Sequence, residues 1–212
     1  MGNSQSQGGP DASIDPLRKG FHVLKVRDHS PAFHAGLLSY FHFIVAVNGQ
    51  SLDHDASLFP ATIKASIDQP VLLTVYSARS NDYSELSITP QWWTDNQQDG
   101  LIGCSIRYCD YQGALAHVWH VVEVLPNSPA QQAGLVVDSD YIVGTPEIVL
   151  REQQDLYALI AARGNEGKPL RLFVYSTVQR AVRDVTLCPR KDWGGEGLIG
   201  AELGYGALHK IP

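Results

Sequence analysis

Eight histidines, three cysteines and a scatter of serines and aspartates are the side chains of this 212-residue chain that could perform chemistry. Their spacing argues against catalysis. There is no Gly-x-Ser-x-Gly elbow, no His-Glu-x-x-His helix and no phosphate-binding loop, so a nucleophilic serine, a zinc-held water and a nucleotide each lack their usual frame. Gly194-Gly195-Glu196-Gly197 is only loosely like a phosphate loop, because it lacks the lysine and the strand-turn-helix context. His117 and His120 lie three apart within a predicted strand, which turns them to opposite faces and disfavours chelation. Cys104, Cys109 and Cys188 form an odd, sparse set, the pattern of a reducing compartment rather than of a disulfide scaffold. One modification pattern stands out. Met1-Gly2-Asn3-Ser4-Gln5-Ser6 would expose Gly2 for N-myristoylation, with Ser6 at the favoured hydroxyl position. A single myristoyl chain holds a bilayer only marginally, so a second membrane contact would have to come from elsewhere.

The elements that must position these residues come in two copies. Phe21-His22-Val23-Leu24-Lys25-Val26 is answered by Trp119-His120-Val121-Val122-Glu123-Val124, and Ser30-Pro31-Ala32 by Ser128-Pro129-Ala130, both at an offset of 98 (120 − 22). Val75-Tyr76-Ser77 then matches Val174-Tyr175-Ser176, and Gly100-Leu101-Ile102-Gly103 matches Gly197-Leu198-Ile199-Gly200. In the first copy, Phe21 to Val26 and Phe43 to Val47 read as strands, and Ser30-Pro31 reads as a helix start. Asp55 to Ile67 reads as a helix, and Val71 to Tyr76 with Tyr83 to Ile88 as a hairpin. The second long helix is expected over Glu152 to Arg163. The resulting architecture is α+β, mainly β: residues 1–17 a flexible arm, 18–111 and 112–212 two small, partly open β-barrels with two helices each. Hydrophobic residues at 44% and a net charge of −6 fit a soluble globular chain, and no block of Lys and Arg offers a surface to nucleic acid. No apolar run is long enough for a membrane span, and no signal peptide is recognisable, so the chain is expected to stay in the cytosol.

This order of strand, Ser-Pro-Ala with Ala-Gly-Leu, strand and long helix resembles a PDZ domain in circularly permuted form. The Gly-Leu-Ile-Gly stretch and its strand, Cys104 to Tyr108 or Ala201 to Tyr205, fall at the end of each copy. Two such units in tandem, the Met-Gly start, Trp193-Gly194-Gly195-Glu196-Gly197 and the closing Gly204-Tyr205-Gly206-Ala207-Leu208-His209-Lys210-Ile211-Pro212 resemble the Golgi reassembly stacking protein family from Phe21 to Pro212. Members of that family usually continue into a long Ser/Pro-rich tail, whereas this sequence stops at Pro212, as expected of either an expressed fragment or a trimmed form.

The resemblance implies a peripheral protein on the cytosolic face of Golgi membranes. It would be tethered through a lipid on Gly2, would self-associate between facing membranes, and would bind C-terminal tails of golgins and of transmembrane cargo. It would thereby serve cisternal stacking and unconventional secretion. The contrasting expectation is a soluble tandem adaptor for membrane-protein tails without tethering. A tail would add as a strand beside Cys104, Ser105 and Ile106, its carboxylate held by backbone N–H groups of the turn Gly100, Leu101, Ile102 and Gly103. Leu58, Ile63 and Ile67 would face it from the helix, or else belong to the core. The second groove repeats the layout with Gly197, Leu198, Ile199, Gly200 and Ala201, and with Leu156, Leu159 and Ile160. Gly204 and Gly206 should weaken its strand, and the segment Gly204 to Ile211 could instead project into the first groove of a neighbour, making association head-to-tail. His22 and Cys109 match family positions near the first groove. They read either as two ligands of a zinc shared with a partner peptide, or as a hydrogen-bonded histidine and a buried structural cysteine.

Overall fold

The computed structural model describes residues 18–113 and 115–212; the lipidation pattern at Gly2 and the arm 1–17 lie outside the described residues. The first unit comprises β1 (Lys19–Val26), α1 (Pro31–His34), β2 (His42–Val47), β3 (Gln50–Ser51), α2 (Leu58–Ala65), β4 (Val71–Ser77), β5 (Asp82–Ile88) and β6 (Cys104–Asp110). The second comprises β7 (Trp119–Val124), α3 (Pro129–Gln132), β8 (Asp140–Gly144), α4 (Gln153–Glu166), β9 (Leu170–Ser176), β10 (Ala181–Leu187) and β11 (Ala201–Tyr205). The strands pair antiparallel in the orders β5-β4-β2-β1-β6, with β3 beside β2, and β10-β9-β8-β7-β11. Both sheets are open, and in each the last strand of the unit is an edge. The long helix packs the buried face shut: Phe59 and Ile63 enter the first core, Leu156 and Ile160 the second.

Local chemistry sets the helix ends. Ser30 and Ser128 each precede a proline and accept a hydrogen bond from the backbone N–H three residues on, Phe33 and Gln131, as capping serines do. Helix α2 is shorter than its periodicity predicts. The Asp55 carboxylate accepts from both the N–H and the hydroxyl of Ser57, holding that stretch as a turn. At the other end Ser66 leaves helical geometry and Asp68 is left-handed, so Ile67 lies past the helix and is 38% exposed. Helix α4 begins with a reciprocal cap between Glu152 and Asp155 and runs beyond Arg163, ending where Gly167 adopts φ 64°.

A third apolar cluster joins the units. Leu24, Tyr40 and Phe41 of the first meet Val118, Tyr141, Val143, Phe173 and Tyr175 of the second. Polar contacts flank it. The Arg107 guanidinium on β6 donates to the carbonyls of Thr145, Pro146 and Ile148, and Lys25 pairs with Asp184. His22 is buried beside this seam, stacked on Phe43 with ring centroids 4.2 Å apart, its Nε2–H donating to the Tyr40 carbonyl at 2.7 Å. Burial pushes its pKa down to about 4; the Tyr40 hydrogen bond opposes the shift and nearby Arg107 adds to it.

A histidine neutral in the folded state but protonated in the unfolded one costs stability as pH falls from its ordinary value of 6.5 to about 4. The loss from His22 should amount to about 3 kcal/mol by pH 4 and be absent above pH 7. Urea unfolding at stepped pH checks it. The His22→Leu variant, less stable at pH 7 because the Tyr40 carbonyl loses its donor, should show a correspondingly shallower acid slope.

Candidate peptide-binding grooves

The glycine turns are built alike in both units. In the first, the carbonyls of Leu101, Ile102 and Gly103 accept from the N–H groups of Gln91, Ala32 and Arg27, each at 2.9 Å. In the second, Leu198, Ile199 and Gly200 accept from Arg190, Ala130 and Leu125 at 2.8, 2.9 and 2.9 Å. With these carbonyls tied inward, the N–H groups of Leu101, Ile102 and Gly103, and of Leu198, Ile199 and Gly200, have no acceptor among the described residues. Successive free amides in a turn form a concavity suited to an anion.

Two residue types hold each turn, and sequence reasoning assigned neither to it. Trp93 and Trp193 donate their indole N–H to the carbonyls of Gly100 and Gly197, both at 3.0 Å. A Cβ on Gly103 would lie 2.3 Å from the Ser30 Cβ and 2.7 Å from the Trp93 ring; on Gly200, 2.4 Å from the Ser128 Cβ and 2.7 Å from Trp193. Left-handed φ values of 67° and 63° reinforce the demand for glycine. The signal in the sequence is a tryptophan shortly before each glycine pair together with the repeated Ser-Pro, but its spacing to the first glycine differs, seven residues in one copy and four in the other.

The grooves differ in how far the expected side chains line them. In the first, Leu101, Ile102, Cys104 and Ile106 pack with Leu58, Phe59 and Ile63 into one cluster, Ser105 is exposed, and Ile67 stands apart beyond the helix. Burial pushes the Cys104 thiol up to about 12, so it packs as a neutral side chain. In the second, a cavity of about 360 Å³ opens between helix and edge, lined by Tyr157, Ile160, Leu198, Ile199, Gly200 and Ala201, with Gly197 at its mouth. Leu156 and Leu159 pack into the core behind it. The Tyr157 hydroxyl donates to the Leu203 carbonyl at 3.3 Å, bridging helix and edge strand where the first unit has Pro60.

Strand β11 runs through Gly204, and Gly206 lies just beyond its end. A Cβ at Gly204 would meet the His209 ring at 2.3 Å, so this glycine makes room for a side chain from the closing segment. The His209 Nδ1 lies 3.3 Å from the His120 Nδ1, and Ile211 packs against the inter-unit cluster. The closing segment is thus folded back on its own unit rather than projecting as a whole. Its large apolar side chain facing outward is Leu208, 94% exposed on the turn Ala207–His209.

His22 and Cys109 come together on a separate cavity of about 220 Å³ between the units, shared with Arg107, His117, Thr145 and Arg151. The His22 hydrogen bond to Tyr40 leaves Nδ1 with a free lone pair, and burial raises the Cys109 pKa. Among the described residues no three His, Cys, Asp or Glu side chains converge, so a metal held here would need further ligands from outside the chain. His117 precedes β7 and bonds the Tyr205 hydroxyl at 2.7 Å, while His120 Nε2 bonds the Asp138 carbonyl at 3.1 Å.

Comparison with known proteins bears on the family and the fold. The family model described as the GRASP55/65 PDZ-like domain matches residues 12–96 and 73–212, two overlapping copies. Over 194 residues the chain is 42% identical to Golgi reassembly-stacking protein 1 of Mus musculus and 41% identical to that of Homo sapiens, in each case over 92% of this chain. An uncharacterised protein of Schizosaccharomyces pombe is 37% identical over 91% of the chain. The chain spans 42%, 43% and 53% of the length of these relatives. A permuted PDZ-like unit present twice, with matching glycine turns, edge strands and helices, together with these identities, places the chain in the GRASP55/65 family, to which it belongs.

Proposed function

We propose that this chain is a tethering scaffold of Golgi membranes that binds C-terminal peptides and associates with copies of itself on a facing membrane. The observation that carries the reading is the set of backbone amides at Leu101, Ile102 and Gly103 that have no acceptor among the described residues, directly before a sheet edge with no further strand among them. A free carboxylate satisfies those amides, and the peptide backbone behind it continues the ladder along Cys104, Ser105 and Ile106. Apolar side chains at alternate peptide positions then meet the Leu58, Ile63 and Ile102 surface. Tails of golgins and of transmembrane cargo supply such termini, and the likeness to the Golgi reassembly-stacking proteins of mouse and human supports a setting at the Golgi. Myristoylation at Gly2 gives one weak membrane contact, and each trans contact between scaffolds supplies a second. Many weak contacts in parallel make a durable zone between cisternae. Leu208 is the side chain that the closing segment offers to the first groove of a neighbouring molecule. The same scaffold serves unconventional secretion wherever the bound tail belongs to a cargo protein. The chemistry proposed is association.

Two measurements test this. Attached by its N-terminus to liposomes, the chain should aggregate them, read as increased light scattering, and Ile102→Asp should abolish the effect. Because Ile102 is buried, the variant is checked for retained cooperative unfolding. Excess soluble peptide with an apolar free C-terminus should disperse the wild-type aggregates without any substitution. Liposomes that stay dispersed while peptide still binds would make the chain an adaptor rather than a tether. In the second measurement, a peptide carrying a free carboxylate should bind roughly tenfold or more tightly than its C-terminal amide, since the amide leaves the charge-assisted hydrogen bonds unmade. Equal affinities for the two would remove the glycine turn from the site.

A further inference from the structure

The two grooves differ in charge at the same register: the first pairs its cations with carboxylates, and the second holds carboxylates without a cation among the described residues. In the first unit Lys25 stands across the ladder from Ser105, and Arg27 follows it. Both cations are already engaged, Lys25 by Asp184 and Arg27 by Asp99. In the second unit the corresponding positions hold Glu123 directly across from Glu202, with Leu125 in place of Arg27 and Glu196 in place of Asp99. Glu123, Glu196 and Glu202 are exposed, all line the mouth of the cavity of about 360 Å³, and no side-chain hydrogen bond or ion pair engages them among the described residues. Like charges directly opposite in a ladder weaken it, and three unpaired carboxylates beside an anion-binding turn repel the very terminus that turn accommodates.

We infer that the second groove takes C-terminal tails that end in an apolar residue and carry Lys or Arg at the penultimate or fourth-from-last position. The inference rests on the reading of these grooves as sites for C-terminal peptides. Strand alternation supplies the geometry. Ala201 and Leu203 face the core and Glu202 between them faces the other way, exposed beside Glu123. A peptide strand added to this edge alternates in the same sense. Its last and third-from-last side chains enter the apolar cavity under Ile160 and Leu198, and its penultimate and fourth-from-last side chains share a face with Glu202 and Glu123. The added strand lies roughly 4.8 Å from β11 and roughly twice that from β7, a span that an extended lysine or arginine side chain and the glutamate side chains cover together, so the head reaches both carboxylates. The cation relieves the repulsion within the glutamate pair and offsets the effect of Glu196 on the peptide terminus. An acidic tail has neither gain. The first groove, with Ser105 at the matching position, does not share this preference.

The test uses the full chain and three pentapeptides ending in valine with a free carboxylate, bearing Lys, Glu or Ser at both the penultimate and fourth-from-last positions. Amide chemical shifts of Leu198, Ile199 and Gly200 report the second groove, and those of Leu101, Ile102 and Gly103 the first. The Lys peptide should bind the second groove roughly tenfold more tightly than the Glu peptide at low salt, the gap narrowing as salt is raised. The exposed double substitution Glu123→Gln with Glu202→Gln should bring the Lys peptide to the affinity of the Ser peptide and leave the first groove unchanged. If all three peptides move the second set of amides with equal affinity, or the double variant binds the Lys peptide as the wild type does, the charge preference is wrong while the groove reading stands. If none of them moves those amides, the second unit is no peptide site and the inference falls with that reading.

Discussion

A glycine turn can present three free amides to a ligand only when its own carbonyls are satisfied elsewhere, and in both units that condition shapes everything around it. The acceptor at Ile102 is met by Ala32, in the first turn of α1, and the acceptor at Ile199 by Ala130, in the first turn of α3. The short helix therefore has to start where it does. Its capping serine then forms one wall against Gly103 or Gly200, and the tryptophan ring forms the other. Serine cap, helix start, tryptophan and glycine make one unit of construction. A buried turn with unpaired carbonyls would incur a penalty of roughly 1–3 kcal/mol for each lost bond, which is why the arrangement recurs intact after the two copies have diverged elsewhere.

The copies also diverge on the face where the units meet. His22 and His120 occupy equivalent ladder positions, and so do Arg107 and Gly204. In the first unit Arg107 extends across the seam to three carbonyls of the second. In the second unit the missing side chain at Gly204 is replaced by the His209 ring arriving from the closing segment. His42 and Asp140 show the same substitution of means. The His42 Nδ1 accepts from the Leu38 N–H at 3.1 Å, and the Asp140 carboxylate accepts from the Val136 N–H at 2.8 Å and is gripped by Arg183. The His42 and Asp140 side chains thus close the same turn by different groups.

Much of this was legible in the residues. The offset of 98 forced two copies, and the repeated Ser-Pro pair placed two helix starts, because both signals depend on local chemistry that tertiary context rarely overrides. The helix ends were less legible. Nothing in the periodicity of Leu58, Ile63 and Ile67 shows that Asp55 captures Ser57 or that Asp68 adopts a left-handed turn, and these two events leave Ile67 outside the helix. Assigning an apolar helix residue to groove or core was equally beyond pattern reading, since both surfaces lie on the same side of the helix. Leu156 and Ile160 share one face, yet only Ile160 reaches the cavity. The seam was invisible for a different reason. It joins residues far apart in sequence through aromatic packing, such as Phe41 against Tyr175 at 4.9 Å, and neither segment carries a local mark of it.

The seam also bears on how two weak sites can act together. Strand β6 is both the open edge of the first groove and the carrier of Arg107, so the surface that would receive a peptide is bolted to the loop of residues 145–148. Apolar packing around Tyr40, Phe41, Phe173 and Tyr175 resists sliding, and the Lys25–Asp184 pair sits close to the groove end of β1. The two edges β6 and β11 are therefore held at one mutual angle. Effective concentration for a second contact is highest when the geometry of the first already satisfies it and falls away when the linkage is loose. A pair of grooves on a flexible tether would gather tails from one membrane in any orientation. A pair fixed through the groove strand itself would, under the proposed function, select ligands by direction as well as by sequence, which is what keeping two facing surfaces in register requires.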